Sequence, residues 1–185
     1  MVRSVSGLPR PGTESRHVLD ISQRPGGLVP RTPLLQTHFT GDWTEIDVVA
    51  CREAGGFVFA SALATQLGIP LVLIRKAGKL PPATISVIKP LSHILSLSEE
   101  VREQSIEMGR DVIFRGTSVV VINDVLATGT RLCAALHLLD SARISTETVA
   151  SMVVAEFPVC RGRDLLRRRG FGKVHILSLL VFGSA

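Results

Sequence analysis

The sequence contains no tyrosine and one tryptophan, and aromatic residues make up only 4% of its 185 residues. Its three cysteines, Cys51, Cys133 and Cys160, are odd in number and far apart, which argues against a disulfide framework or a zinc-ligand spacing. No apolar run reaches the roughly 20 residues of a membrane span, and the N-terminus lacks the apolar segment of a signal peptide. These absences favour a reducing intracellular compartment, and we expect the cytoplasm.

The chain carries 21 basic and 16 acidic side chains, for a formal net charge of +5. This excess indicates an anionic partner, and it leaves nucleic acid, an acidic membrane and a phosphorylated metabolite open. Hydrophobic residues make up 45% and charged residues 20%, which excludes a disordered chain. The length fits one domain with a full core.

The pattern along the chain changes near residue 44. Residues 1 to about 33 are rich in Gly, Pro, Ser and Arg and predict a loop or mobile arm, with an extended segment at 17–21. Residues 44–185 predict a core domain in which apolar strands alternate with helices. Such strands form a mostly parallel sheet covered on both faces, so the predicted fold class is α/β. The predicted strands are 46–51, 71–74, 84–88, 118–122, 148–155 and 173–182, and the helices are 57–67, 130–140 and 163–169; the polar stretch 96–110 is expected to be a mobile loop or partly helical flap.

A phosphate-binding loop is predicted where the valine-rich strand at 118–122 ends. Ala127, Thr128, Gly129 and Thr130 precede a helix, where unpaired backbone N–H groups and the helix dipole favour an anion. Asn123 and Asp124 come just before this loop, in a position to bind sugar hydroxyls. The alternative is a plain strand–turn–helix unit with a capping threonine. The sequence lacks the GK[ST] ending of a Walker loop.

Three cations follow the predicted strand at 71–74. Arg75, Lys76 and Lys79 fall within five positions and form a plausible cradle for a polyphosphate. A solvated basic turn is the alternative. A second small-residue loop, Glu53-Ala54-Gly55-Gly56, lies between the first core strand and its helix, and presents backbone N–H groups or is simply a glycine-rich turn.

Four segments in this order resemble type I phosphoribosyltransferases, most closely the adenine phosphoribosyltransferases. The resemblance covers about residues 44–182. It implies the family's fold, with a small N-terminal hood at 1–43. The segments are 46–59 (IDVVACREAGGFVF), 73–82 (LIRKAGKLPP), 106–113 (IEMGRDVI) and 118–139, which contains the predicted phosphate loop.

The resemblance implies an enzyme of purine salvage. It would transfer ribose 5-phosphate from phosphoribosyl pyrophosphate to adenine, giving AMP and pyrophosphate. Mg²⁺ is the implied cofactor, held mainly by substrate and water, and a homodimer is the implied assembly. Nucleic acid and membrane are not expected partners; the basic run at 167–169 is interpreted as the surface of a short helix.

The resemblance also implies roles for residues. Asp124 and, on the mobile loop, Glu100 are the implied catalytic residues. The loop at Glu53 is expected to contain a non-proline cis peptide bond. The residues implied to bind phosphoribosyl pyrophosphate are Glu53, Ala54, Gly55, Arg75, Lys76, Lys79, Asn123, Asp124, Ala127, Thr128, Gly129, Thr130 and Arg131.

The sequence departs from the family pattern within these loops. Gly55 replaces an arginine, Asn123 replaces the first of two acidic residues, and Val101 falls where the family has a tyrosine. Thr130 and Arg131 replace a glycine and a threonine. A second function hypothesis is therefore a weak or inactive member that binds phosphoribosyl pyrophosphate or a nucleotide for regulation.

Overall fold

The structure is a computed structural model that describes residues 3–6, 14–23, 25, 31–88 and 105–183. It contains nine strands and four α-helices among these residues, with short 3₁₀ turns between some of them. In chain order they are β1 (Arg3–Ser6), β2 (Glu14–His17), α1 (Arg31–His38), β3 (Val48–Arg52), α2 (Gly55–Leu67), β4 (Leu71–Lys76), β5 (Thr84–Ile88), β6 (Ser105–Gly109), β7 (Val119–Leu126), α3 (Thr130–Ser141), β8 (Val149–Glu156), α4 (Gly162–Arg168) and β9 (His175–Val181).

Seven strands form one sheet in the order β5-β6-β4-β3-β7-β8-β9. The five strands from β4 to β9 in this order are parallel, and β6 runs antiparallel to both β4 and β5. The prediction of an α/β fold with a mostly parallel sheet is confirmed. Among the helices that the structure describes, none has the length and apolar character needed to cross a bilayer.

Both faces of the sheet are covered by helices, as predicted. Val119 and Val121 of β7 pack with the buried leucines of α3, whereas Val120 and Ile122 pack with α1 and α2. This alternation follows from the two-residue period of a strand. Because β7 is buried on both faces, its sequence begins with an unbroken run of valines instead of alternating apolar and polar residues.

Residues 105–109 form a strand, and the prediction of a loop or flap over 96–110 was wrong for this part. Ile106 and Met108 are fully buried, because β6 is inserted between β4 and β5. Polar neighbours hide this short apolar pattern in the sequence. Residues 96–104 lie outside the described residues.

The N-terminal region also contains more regular structure than predicted. β1 and β2 pair as an antiparallel ribbon, where a loop or arm was expected. Val18–Ile21 forms a 3₁₀ helix rather than an extended segment. Val18 is buried with α2 and β7 in one cluster, so tertiary packing decides the conformation there.

Candidate active site

The carboxyl ends of β3, β4 and β7 meet at one edge of the sheet, because these neighbouring strands are parallel. This is where open α/β sheets bind their ligands. The three strand ends bring together the predicted residues of all three loops: Glu53, Ala54 and Gly55; Arg75, Lys76 and Lys79; and Asn123 to Arg131. Glu100 and Val101, in contrast, lie outside the described residues.

The predicted phosphate loop joins β7 to α3. Gly129 is the N-cap of α3, has a φ of 79°, and offers no side-chain cap. The alternative of a capping threonine is therefore wrong: Thr130 is the first helical residue, and its hydroxyl lies 3.2 Å from that of Thr128. The first backbone N–H groups of α3 have no partner within the helix, so this end can bind an anion.

The start of α4 packs directly against the backbone of this loop. A Cβ on Gly129 would lie 2.6 Å from the carbonyl oxygen of Gly162, and a Cβ on Gly162 would collide with the carbonyl oxygen of Ala127. The two glycines thus allow two backbone segments to touch. Sequence reasoning missed Gly162, since nothing in its local pattern distinguishes it from an ordinary helix start.

Glu53 connects the ends of β3 and β4. Its Oε2 accepts a hydrogen bond from Arg75 Nε at 3.1 Å, and its Oε1 accepts one from the Lys76 amide at 2.6 Å. Burial alone would raise the pKa of Glu53, but these hydrogen bonds and the nearby arginine charges outweigh it and lower the pKa. The peptide bond after Glu53 is cis, as the resemblance implied.

The basic turn after β4 is held by a glutamate that sequence reasoning missed. Glu107 of β6 is 5% exposed, and its Oε1 accepts the amides of Lys79 and Leu80 at 2.8 and 2.9 Å. Burial would raise its pKa, but the backbone hydrogen bonds lower it. An acidic residue between Ile106 and Met108 was the available signal. This turn is therefore fixed by a buried carboxylate, while the Lys76 and Lys79 side chains are exposed.

Asp124 and Gly55 lie against each other. Asp124 Oδ1 accepts the Val125 amide at 2.9 Å, and a Cβ on Gly55 would collide with the Asp124 carboxylate. A larger side chain at position 55 would thus require Asp124 to move. In this structure the Asp124 carboxylate thus occupies the space next to Gly55.

The described residues contain no group of three or more His, Cys, Asp or Glu side chains placed to hold a metal ion. Mg²⁺ commonly keeps several waters and binds through one or two carboxylates together with substrate phosphates. Asp124 supplies a half-buried carboxylate next to the phosphate loop. The residues present therefore fit an ion that arrives with a polyphosphate substrate.

The family described as "Phosphoribosyl transferase domain" matches residues 31–165. The chain belongs to this family. It is 33% identical to the adenine phosphoribosyltransferase of Cricetulus griseus over 182 residues, which cover 98% of this chain and 93% of that protein. It is 34% identical to the Roseiflexus castenholzii enzyme of the same name over 171 residues, 92% of each chain.

The fold of this family member is also shared with solved structures. The adenine phosphoribosyltransferase of Thermoanaerobacter pseudethanolicus superimposes with a TM-score of 0.81 at 27% identity, covering 98% of this chain and 96% of that one. The resemblance inferred from four sequence segments and the type I phosphoribosyltransferase fold are both confirmed.

Proposed function

We propose that this protein is an adenine phosphoribosyltransferase of purine salvage. It transfers ribose 5-phosphate from phosphoribosyl pyrophosphate to adenine, and releases AMP and pyrophosphate. The observation that carries this proposal is the convergence of a phosphate loop, a basic turn and Asp124 at one sheet edge, in a chain one-third identical to enzymes of that name over nearly its whole length.

In this proposal the three loops divide the substrate between them. The amides and hydroxyls of the loop from Ala127 to Thr130, with the exposed Arg131, bind the 5-phosphate. Asp124 binds the ribose hydroxyls. The pyrophosphate group binds the basic turn, where Lys76 and Lys79 are exposed and Arg75 is already oriented by Glu53, together with the loop of Glu53, Ala54 and Gly55.

The reaction replaces one bond at the anomeric carbon with another. A purine nitrogen forms a bond to that carbon while the bond to the pyrophosphate oxygen breaks, and positive charge develops on the sugar. The Asp124 carboxylate stabilises this charge electrostatically, and the basic turn neutralises the leaving group. The purine base loses a proton in this step, and we propose that Glu100 accepts it as the general acid/base.

Mg²⁺ is the proposed cofactor. It would be held mainly by substrate and water, Asp124 could supply a carboxylate to it, and it would neutralise charge on the pyrophosphate. We further propose a homodimer and a division into a hood at 1–43 and a core at 44–185. The separate β1–β2 ribbon supports that division. A cytoplasmic location is proposed because all three cysteines are free and two of them are buried.

A second candidate function is binding of phosphoribosyl pyrophosphate or a nucleotide without turnover. Two observations favour it. The Asp124 carboxylate fills the space that a side chain at position 55 would occupy, and the buried residue before Asp124 is the uncharged Asn123. Both changes lie in ligand loops and remove groups that the family pattern places there.

Pyrophosphate release distinguishes these two functions. The purified protein is mixed with phosphoribosyl pyrophosphate, Mg²⁺ and one base at a time: adenine, guanine, hypoxanthine or uracil. We expect release with adenine well above that with the other three. The Cricetulus griseus enzyme serves as the positive control. Measurable binding of phosphoribosyl pyrophosphate without turnover on any base would overturn the enzyme proposal and establish the second function.

A further inference from the structure

Arg52 is the last residue of β3, and only 7% of its surface is exposed. Because strand residues alternate between faces, Arg52 lies on the face of Val48 and Ala50, which α3 covers. Asp124 lies on the opposite face, beside Gly55 at the start of α2. Arg52 therefore does not take the place of the arginine that the family pattern has at position 55.

Asn123 is the neighbour of Arg52 on the adjacent strand. The register pairs Cys51 of β3 with Ile122 of β7, so residues 52 and 123 are the next positions along both strands. Asn123 is 5% exposed. Nε and Nη1 of Arg52 and Nδ2 of Asn123 are buried without a hydrogen-bond partner among the residues that the structure describes.

All three of these atoms are hydrogen-bond donors, and neither of the two nearby carboxylates, those of Glu53 and Asp124, accepts a hydrogen bond from them. Glu53 accepts hydrogen bonds from Arg75 and Lys76, and Asp124 accepts one from the Val125 amide. Burial, reinforced by the charge of Arg131, lowers the pKa of Arg52 to about 10, although the charges of Glu53 and Asp124 oppose this shift. The guanidinium is thus still charged at neutral pH, and burying its Nε and Nη1 without a hydrogen-bond acceptor is costly.

The N-terminus of α3 lies on the same face of the sheet. This helix has twelve residues, its first N–H groups have no partner within the helix, and Gly129 offers no side-chain cap. The helix dipole and the Arg131 charge both favour an anion there. The buried donors of Arg52 and Asn123 are a second, independent indication of an anionic group at this place.

We propose that Arg52 of β3 and Asn123 of β7 bind the phosphomonoester group of the substrate and so extend the phosphate loop. A dianionic phosphate supplies acceptors for all three donors and compensates the charges of Arg52 and Arg131. This inference rests on the proposed function in one respect, namely that the ligand is a sugar 5-phosphate. It assigns Arg52 to the phosphate that stays on the sugar, not to the departing pyrophosphate.

The test compares binding of ribose 5-phosphate, AMP and inorganic pyrophosphate by calorimetry in the wild-type protein and in Arg52→Leu. We expect affinity for ribose 5-phosphate and AMP to fall about 10- to 100-fold, as for loss of a charge-assisted hydrogen bond. Pyrophosphate affinity should change less than about threefold. Arg168→Leu, at an exposed position of α4, is the matched control and should bind all three as the wild type does.

Asn123→Asp provides a second test that conserves side-chain volume. The new carboxylate pairs with Arg52 internally, so ribose 5-phosphate binds more weakly while the ligand-free protein melts at the same or a higher temperature. For Arg52→Leu we likewise expect no loss of ligand-free melting temperature, since the substitution removes a buried charge whose Nε and Nη1 have no hydrogen-bond acceptor. A merely structural Arg52 would instead lower the melting temperature and leave ligand affinity unchanged.

The outcomes separate this inference from the proposed function. The role of Arg52 would be overturned, even if adenine is turned over, by either of two results. One is that Arg52→Leu and Asn123→Asp bind ribose 5-phosphate as tightly as the wild type does; the other is that only pyrophosphate affinity is lost. Arg52-dependent binding of ribose 5-phosphate without turnover on any base would overturn the enzyme function and support the inference.

Discussion

Two glutamates act as internal anchors of the basic turn. Glu53 holds the Arg75 side chain and the Lys76 amide, and Glu107 holds the amides of Lys79 and Leu80. Neither carboxylate needs to touch the substrate to affect it, because each fixes the backbone that carries the cations. At the scale of single residues, the site depends on acidic groups that position basic ones.

Glu107→Ala should destabilise the protein and loosen the turn. It leaves the amides of Lys79 and Leu80 without their acceptor, which we expect to cost about 1–3 kcal/mol of unfolding free energy. Because Lys79 loses its fixed position, pyrophosphate affinity should also fall. Urea unfolding and calorimetry measure the two effects.

Glu107→Gln and Glu45→Ala are the controls for this change. Glutamine retains one oxygen acceptor and should restore most of the stability, and Glu45 is exposed in a turn far from the site. If Glu107→Ala bound pyrophosphate like the wild type, the turn would not depend on this carboxylate.

At the scale of elements, the phosphate loop is a contact between two segments rather than an isolated motif. The turn from β7 to α3 rests on the first residue of α4, with glycines at both contact points. Arg163 of α4 is in turn tied to Glu156 of β8 by two hydrogen bonds of 2.7 and 2.8 Å. The start of α4 is therefore held in place independently of any ligand.

Gly162→Ala should damage the phosphate loop in particular. Its Cβ collides with the Ala127 carbonyl, so the loop or α4 must shift, at a cost of about 1–3 kcal/mol for overpacking. We expect weaker binding of ribose 5-phosphate together with a lower melting temperature. Gly183→Ala is the matched control, since no atom lies within 4 Å of its added Cβ. Unchanged ribose 5-phosphate affinity in Gly162→Ala would contradict this coupling.

For the whole molecule, three carboxylates with lowered pKa values, two of them buried and one half-buried, make the fold sensitive to acid. They belong to Glu53, Glu107 and Glu156, and the pKa of Glu156 is lowered mainly by its hydrogen bond with Arg163. A carboxylate whose pKa is lower in the folded than in the unfolded state stabilises the fold above its ordinary pKa. That contribution is lost as the pH falls through its folded pKa.

We therefore expect the free energy of unfolding to drop as the pH falls below about 4.5, the ordinary pKa of these groups. Glu156→Gln should be less stable than the wild type at pH 7 by about 1–3 kcal/mol, but should lose less stability on acidification because residue 156 no longer titrates. Urea unfolding between pH 7 and pH 3.5 measures this, with the exposed Glu147→Gln as control. Parallel pH curves for Glu156→Gln and the wild type would contradict the assignment.

The sequence was sufficient for the strands, helices and loops that follow local rules. The valine run of β7 and the small-residue loop after it predicted their structures because their neighbours in the chain determine them. β6 and the Val18–Ile21 turn were not predicted, because their conformations depend on partners distant in sequence. Glu107 was missed for the same reason, since its hydrogen-bond donors are the amides of a turn 27 and 28 residues away in the sequence.

The sequence by itself determined the fold class, the family and the three loops of the site, because periodicity and motif order are properties of the chain. Only the tertiary structure decided which face each strand-end side chain occupies. It placed Asp124 against Gly55, and Arg52 beside Asn123 under α3. The physical reason is that strand pairing fixes the face and neighbours of a side chain, and the burial of Arg52 follows from both.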